Sequence, residues 1–291
     1  MMTAPSPDVR PLEGMVALCT GAGRRGGLGE AVLQHLSAAG CKIAATDLPP
    51  SGDRSADGAA AAPEHFGSSD TLEAIVADIR AAGGEGIALP LDVRDESQIE
   101  TAIASIVKVF GRLDILINNA GIGFIMQPLI ETSAQNWRTV IDVNLTGAFL
   151  CLKHAARQML TQGHGGRIVN IASQAAKSGH AHLAAYSASK HGMVGLTRSA
   201  AIELGPHGIT VNAVCPNHMT TRLGAAQNAY FAKLRGFAGV EPYLADMKNR
   251  IPLRRVGSTA DTARACVFLC SDAASYITGE ALNVSGGMEM H

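Results

Sequence analysis

Three side chains inside one eighteen-residue stretch can act on a single substrate oxygen: Ser173, Tyr186 and Lys190. Tyr186 and Lys190 stand four positions apart in an Ala- and Ser-rich segment, with Met193, Val194 and Leu196 following. At helical pitch that spacing sets phenol and ammonium on one face, one turn apart. A neighbouring cation favours phenolate, so Lys190 is expected to draw the Tyr186 pKa down from its ordinary value of about 10, toward a range useful for proton transfer. Ser173 follows the apolar run Arg167-Ile-Val-Asn-Ile-Ala172, which reads as a buried strand. A hydroxyl at the carboxyl end of a strand and a Tyr/Lys pair on the next helix can converge on one point. Alone, Tyr-x-x-x-Lys is an ordinary helix-surface pair, so its surroundings decide.

Those surroundings are an alternation of short apolar runs and amphipathic segments. Met15–Cys19, Ile43–Thr46, Ile87–Leu91, Leu113–Ile117, Ile168–Ala172, Ile209–Val214 and Ala281–Val284 read as strands. Helical stretches lie between them near 28–39, 69–82, 96–110, 134–160, 185–204 and 259–271. This rhythm predicts an α/β domain whose mostly parallel sheet carries helices on both faces. Residues 1–12, polar and with three prolines, read as a flexible arm ahead of one domain over 13–291. Two segments break the pattern: a Gly/Ala/Pro-rich loop over 49–68, and residues 222–253, where helix-like pieces fill a link that could be short. Long insertions after a parallel strand are commonly lids.

Composition narrows the function. A chain of 291 residues, 47% apolar and 17% charged, can bury a sizeable core. A net charge of −1 gives no electrostatic reason to expect nucleic acid or a membrane surface as partner. The 32 glycines and few aromatics suit many tight strand-to-helix turns. Six cysteines (Cys19, Cys41, Cys151, Cys215, Cys266, Cys270) show no Cys-x-x-Cys and no framework spacing; Cys266 and Cys270, one turn apart, read as a packed helix face. That usage, with no apolar run of the ~20 residues a membrane span needs and no signal-peptide core, points to the cytoplasm.

The first strand-to-helix turn, Thr20-Gly-Ala-Gly-Arg-Arg-Gly-Gly-Leu-Gly29, is glycine-rich where a helix begins. Glycines admit a pyrophosphate close to the backbone, and free N–H groups and the helix dipole favour its charge. Asp47 ends the second strand, eighteen residues past Gly29. A carboxylate there can bond an adenosine ribose diol and repels a 2′-phosphate, so NAD is the expected cofactor. Arg24 and Arg25 argue the other way, but Asp47 stands where the diol must go.

Taken together, these motifs resemble the short-chain dehydrogenase/reductase family over roughly residues 14–288. Its Thr-Gly-x-x-x-Gly-x-Gly corresponds to Thr20, Gly21, Gly27 and Gly29, with two extra residues around Arg24–Arg25. Asp92-Val93 resembles the family's adenine-contacting pair, and Asn118-Asn119-Ala120-Gly121 matches its Asn-Asn-Ala-Gly without change. Asn144, in Asp-Val-Asn-Leu, completes an Asn-Ser-Tyr-Lys tetrad. Pro216-Asn217-His218-Met219-Thr220-Thr221 departs from the usual Pro-Gly turn, which Asn217 is expected to keep by tolerating a left-handed backbone. Ser285-Gly286-Gly287 departs from Asp-Gly-Gly.

The resemblance implies a Rossmann-like, doubly wound, seven-stranded fold with a helical lid. It implies a catalytic set of Asn144, Ser173, Tyr186 and Lys190, in which Tyr186 is general acid or base. Lys190 also binds the nicotinamide ribose, and Asn144 holds a water linking Lys190 to solvent. The implied cofactor contacts are Thr20, Gly21, Gly27, Leu28, Gly29, Asp47, Leu48, Asp92, Val93, Asn119, Ala120, Gly121, Tyr186, Lys190, Pro216, Met219 and Thr221. The Tyr-to-Lys spacing suits carbonyl/alcohol interconversion and disfavours C=C reduction. No metal is expected: His180-x-His182 lacks a third ligand nearby.

The expected substrate is a small polyol, diol or sugar. Gln174 faces substrate in relatives resembling butanediol and polyol dehydrogenases, and His180 and His182 read as lid or substrate-pocket residues, with His182 taken as the second substrate contact. An acidic group on it is inferred from seven basic residues between Arg222 and Arg255 (with Lys233, Arg235, Lys248, Arg250 and Arg254) against Glu241 and Asp246. The alternatives are an NADPH-dependent 3-oxoacyl thioester reductase and a non-catalytic nucleotide-binding sensor or scaffold. Family members are often tetramers on the long helices, so a homo-oligomer is expected.

Overall fold

Apolar runs of four to eight residues, too short for helices and buried on both faces, make the interior of a parallel sheet. The computed structural model describes residues 10–48, 69–123, 125–219 and 221–291. Its strands are β1 (Val16–Cys19), β2 (Lys42–Asp47), β3 (Gly86–Pro90), β4 (Ile115–Asn118), β5 (Gly166–Ile171), β6 (Ile209–Pro216) and β7 (Ala281–Val284). They form one sheet in the order β3-β2-β1-β4-β5-β6-β7, every pairing parallel. The chain thus winds outward in both directions from β1 and β4, the Rossmann-like architecture expected. Between those two strands the order reverses, and a crevice opens beyond their carboxyl ends.

Helices cover both faces. On one side α1 (Leu28–Ala38), α2 (Ser69–Ala81) and α9 (Thr259–Cys270) bury Val32, Leu36, Ile75, Cys266 and Leu269 against the sheet. On the other, α3 (Glu96–Phe110), α5 (Gly147–Gln162) and α6 (Ala184–Leu204) bury Ile99, Ile106, Cys151, Met159 and Ala200. All six cysteines are unpaired and buried, and Cys266 and Cys270 belong to a packed face. Among the described residues no helix is long and apolar enough to cross a membrane.

Two departures from the sequence reading have local causes. Leu12 is buried, and its N–H bonds the Ala39 carbonyl at 3.0 Å, so the arm expected over 1–12 ends before Leu12; residues 1–9 and the loop over 49–68 lie outside the described residues. The single helix expected over 134–160 is two, α4 (Ala134–Ile141) and α5, joined by a π-helical turn at Asp142–Thr146. The interruption places Asn144 inward, fully buried, where its amide bonds both backbone groups of Ile122. The helix-like pieces expected over 222–253 are a helical pair, α7 (Arg222–Leu234) and α8 (Val240–Arg250).

A buried polar chain ties β4 and β5 to α6. Asn118 donates to Asn170 Oδ1 at 2.9 Å, and Asn170 donates to Thr197 Oγ1 at 2.9 Å. Thr197 in turn donates to the Met193 carbonyl at 2.8 Å. Asn170 is three residues before Ser173, so this chain sets the depth of the strand that delivers it. Removing one partner leaves the others buried and unmet, at about 1–3 kcal/mol each. Asn170→Ala is therefore expected to lower stability by about 2–3 kcal/mol, read as a lower urea midpoint with an unchanged slope.

Candidate active site

The turn after β1 must pass close under β4, and glycine permits it. A Cβ on Gly21, whose φ is +67°, would stand 2.6 Å from Ala120 Cα. A Cβ on Gly29 would stand 2.7 Å from Ala22 Cα. Thr20 closes the junction: its Oγ1 accepts the N–H groups of Asn119 (3.1 Å) and Ala120 (3.0 Å). Asn119 returns two bonds, from Nδ2 to the carbonyls of Thr20 and Gly21. Thr20 is thus a clamp rather than a wall residue of the cleft above it.

That cleft, about 650 Å³, runs from the glycine turn to the lid. At its glycine end, α1 begins at Gly27 with no side-chain cap, leaving first-turn N–H groups for an anion. Gly21, Gly27, Leu28 and Gly29 line this end, with Asp47 at the end of β2 and Leu48 just after it, Asp92 and Val93 after β3, and Asn119, Ala120 and Gly121 after β4. Asp47 is fixed by two backbone donors, Gly23 N–H at 2.6 Å and Leu48 N–H at 2.7 Å. An uncapped helix start, a cradle that a Cβ would fill and a carboxylate beyond it fit a dinucleotide.

The two inserted arginines part ways. Arg25 turns outward and pairs with Glu30 (2.8 Å) and with Asp78 on α2 (2.6 Å), stapling the longer turn down. Arg24 lines the cleft. Arg94, which sequence reasoning missed, also lines it and grips Asp92 through Nε (2.9 Å) and Nη2 (2.6 Å).

At the far end Ser173, Tyr186 and Lys190 meet. Ser173 caps a short turn, its Oγ accepting the Ala175 N–H at 3.1 Å, and the Tyr186 hydroxyl bonds Ser173. The Lys190 ammonium donates to the Ile171 carbonyl at 2.7 Å and lies 5.7 Å from the centre of the Tyr186 ring. The expected fall in the Tyr186 pKa does not appear. Burial pushes the phenol up, only partly offset by the Ser173 bond, and burial pushes Lys190 down to about 8. In a dry cleft desolvation outweighs attraction, and each group favours its neutral form. Asn144 sits behind this trio rather than on the cleft wall, its amide committed to Ile122 and, at 3.2 Å, to Ser189 Oγ.

The remaining expected residues divide. Gln174, Pro216, Met219 and Thr221 line the cleft, Thr221 also capping α7 through its Oγ1 (Gly224 N–H, 3.1 Å); Thr220 lies outside the described residues. Asn217 needs no left-handed backbone: its amide oxygen takes the His218 N–H at 2.6 Å and holds the turn that way. His182 is not on the wall. It has a φ of 65° and its Nδ1 meets the Tyr230 hydroxyl at 2.7 Å, tethering α7. Gln227 makes a second tether, donating to the Gly123 carbonyl at 2.7 Å. Of the lid cations, Arg235 and Arg250 line the cleft, while Arg255 is held by Asp261 and Lys233 and Lys248 are exposed. No cluster of three or more metal-ligating side chains occurs among the described residues.

His218 and Glu289 were missed, because a turn and the chain end reach the cleft only in the fold, while His180, read with His182 as a lid or pocket residue, lines it. Buried atoms without hydrogen-bond partners gather here: Gln174 Oε1, His180 Nε2 and His218 Nε2. Burial holds both imidazoles below their usual pKa.

A family profile described as Enoyl-(Acyl carrier protein) reductase matches residues 21–289. A 3-oxoacyl-[acyl-carrier-protein] reductase of Synechocystis is 38% identical over 280 residues, covering 96% of this chain and 98% of the relative. Two solved structures each superpose with a TM-score of 0.83 over 95% of the chain. One is an NAD+-bound xylitol dehydrogenase, 33% identical and covered over 99% of its length. The other is an actinorhodin polyketide ketoreductase with NADPH, 32% identical and covered over 98%. With the profile spanning nearly the whole sequence and the glycine turn, Asn-Asn-Ala-Gly and Tyr-x-x-x-Lys on one cleft, the chain belongs to the short-chain dehydrogenase/reductase family of oxidoreductases.

Proposed function

We propose that this enzyme uses NAD to interconvert a secondary alcohol and a ketone on a small, hydroxyl-rich substrate such as a polyol, diol or sugar. The observation that carries the chemistry is the meeting of Ser173, Tyr186 and Lys190 in the cleft that begins at the glycine turn. Bound there, the nicotinamide supplies or accepts the hydride. Ser173 and Tyr186 hold the substrate oxygen, and Tyr186, kept protonated by burial, gives its proton to a carbonyl oxygen or, in reverse, takes one from an alcohol. Lys190 supports the charge that develops on the phenol from its anchor on Ile171. This convergence argues against a non-catalytic sensor.

Gln174, His180 and His218 favour a hydroxyl-rich substrate, since buried polar atoms lacking partners cost about 1–3 kcal/mol each unless a ligand completes them. An acidic group is a further reading, supported by Arg235, whose guanidinium lines the cleft, stacks 5.7 Å from the Tyr243 ring and has no carboxylate partner among the described residues. The names of the relatives and Arg24 on the cleft wall support the alternative, an NADPH-dependent 3-oxoacyl thioester reductase. Six unpaired buried cysteines suit a reducing compartment, and Phe149 and Ile202, exposed on α5 and α6, are faces for a second copy.

Three experiments test this reading. Initial rates with each cofactor should favour NAD, and Asp47→Ala should reduce that preference at least about tenfold by removing the ribose acceptor and the repulsion of a 2′-phosphate. Better efficiency with NADP than with NAD would select the thioester reading. Tyr186→Phe should lower turnover by about 10²–10⁴ while retaining cofactor binding. In the wild type, carbonyl reduction should fall as pH rises through about 8, because Lys190 gives up its proton there and the charge that assists Tyr186 is lost. A profile flat from pH 6 to pH 10 would contradict the roles given to the pair.

A further inference from the structure

The C-terminal tail folds back onto the cleft and brings a carboxylate to its substrate end. After β7, Gly286 and Gly287 take left-handed turns (φ 64° and 91°) against the lid, where a Cβ on either would stand 2.8 Å from Ile251 or Pro252. Met288 packs with Tyr243 and Met247 of α8, and Met288 and Glu289 both line the cleft. Glu289 is held by three bonds to its backbone. The Ser285 hydroxyl accepts its N–H at 3.2 Å and donates to its carbonyl at 3.1 Å, and Asn283 Nδ2 donates to the same carbonyl at 3.2 Å. The serine that replaces the usual aspartate in Asp-Gly-Gly therefore builds the tail.

The side chain is held as firmly. Glu289 Oε1 accepts the Ser178 hydroxyl at 2.8 Å, and Ser178 donates its N–H to the Gln174 carbonyl at 3.1 Å, on the turn that Ser173 caps. The side chain is 14% exposed, and His291 Nε2 lies 4.0 Å from Oε2. An ionised carboxylate has about four acceptor positions, of which Ser178 fills one. Its charge also reaches His180 on the same wall.

We propose that Glu289 is a specificity-determining residue whose carboxylate accepts a substrate hydroxyl remote from the reacting carbon. This rests on the hydroxyl-rich reading above and adds where the second hydroxyl is read. A carboxylate satisfied by one serine hydroxyl gains most from a neutral donor, and it repels an anion, so an acidic group on the substrate must point toward Arg235 instead. The turn shared with Ser173 and Gln174 fixes the distance between the reacting carbon and the hydroxyl being read.

The test compares kcat and KM for the best-used polyol of a short-chain panel and for the secondary mono-alcohol of the same carbon chain, with NAD, in wild type, Glu289→Ala and Glu289→Gln. Loss of a hydrogen bond to a charged acceptor should lower the polyol-to-mono-alcohol ratio of kcat/KM about ten- to a hundredfold in Glu289→Ala, mainly through KM. Glu289→Gln, nearly isosteric and still an acceptor, should lose less. If both variants lower the two substrates in step, or leave the ratio where it was, Glu289 reads no hydroxyl and the proposal fails while the polyol reading stands. If the wild type reduces a 3-oxoacyl thioester and oxidises no polyol, the polyol reading fails and this proposal falls with it.

Discussion

The site depends on one junction, where β1 and β4 part and the sheet's winding reverses. There the Thr20 hydroxyl accepts two consecutive backbone N–H groups, and the Asn119 amide returns two bonds to carbonyls of the glycine turn. Both strand ends leave the sheet at this point, so their backbone groups have no ladder partners and need others. Thr20 and Asn119 supply them and hold the turn against Ala120 at a separation only glycine allows. The cleft, the uncapped start of α1 and the place of Asp47 all follow from that closure.

A second cost is placed at the other end of the cleft. Lys190 and Tyr186 are both buried, and burial opposes the charged form of each. The fold holds them through rigid partners: the Ile171 carbonyl for the ammonium, Ser173 for the phenol, and the Asn144–Ile122 exchange behind them. The π-helical turn at Asp142–Thr146 belongs to the same arrangement, because an uninterrupted helix would carry Asn144 round a different face. π-Turns are commonly found at functional sites, where a local break in the helical ladder aims one side chain.

Most of the sheet was legible because its strands are continuous aliphatic runs, and Ala281–Val284 matches its predicted bounds. Ser173, Tyr186 and Lys190 were legible because one strand-to-helix connection carries all three. What escaped was non-local or polar. Leu12 looked like part of an arm because its partners, Ala39 and the core, lie elsewhere in the chain. The loss of a glycine at Asn217 looked like a question of backbone strain, but a side-chain bond to His218 N–H settles that turn. The basic count over the lid pointed to an anion, yet Arg255 is engaged by the cap of α9, and of the lid's described cations only Arg235 and Arg250 line the cleft. His182, which by sequence reads as either a lid or a pocket residue, serves the lid, through Tyr230.

The central claim is that this cleft moves a hydride between a carbinol carbon and NAD. The most direct measurement is the mass of the reduced cofactor formed from a polyol deuterated at its carbinol carbons. The account predicts one deuterium per NADH formed and a slower rate than with the unlabelled polyol. Unlabelled NADH, or label appearing only when NADP and a 3-hydroxyacyl thioester replace NAD and the polyol, would contradict it.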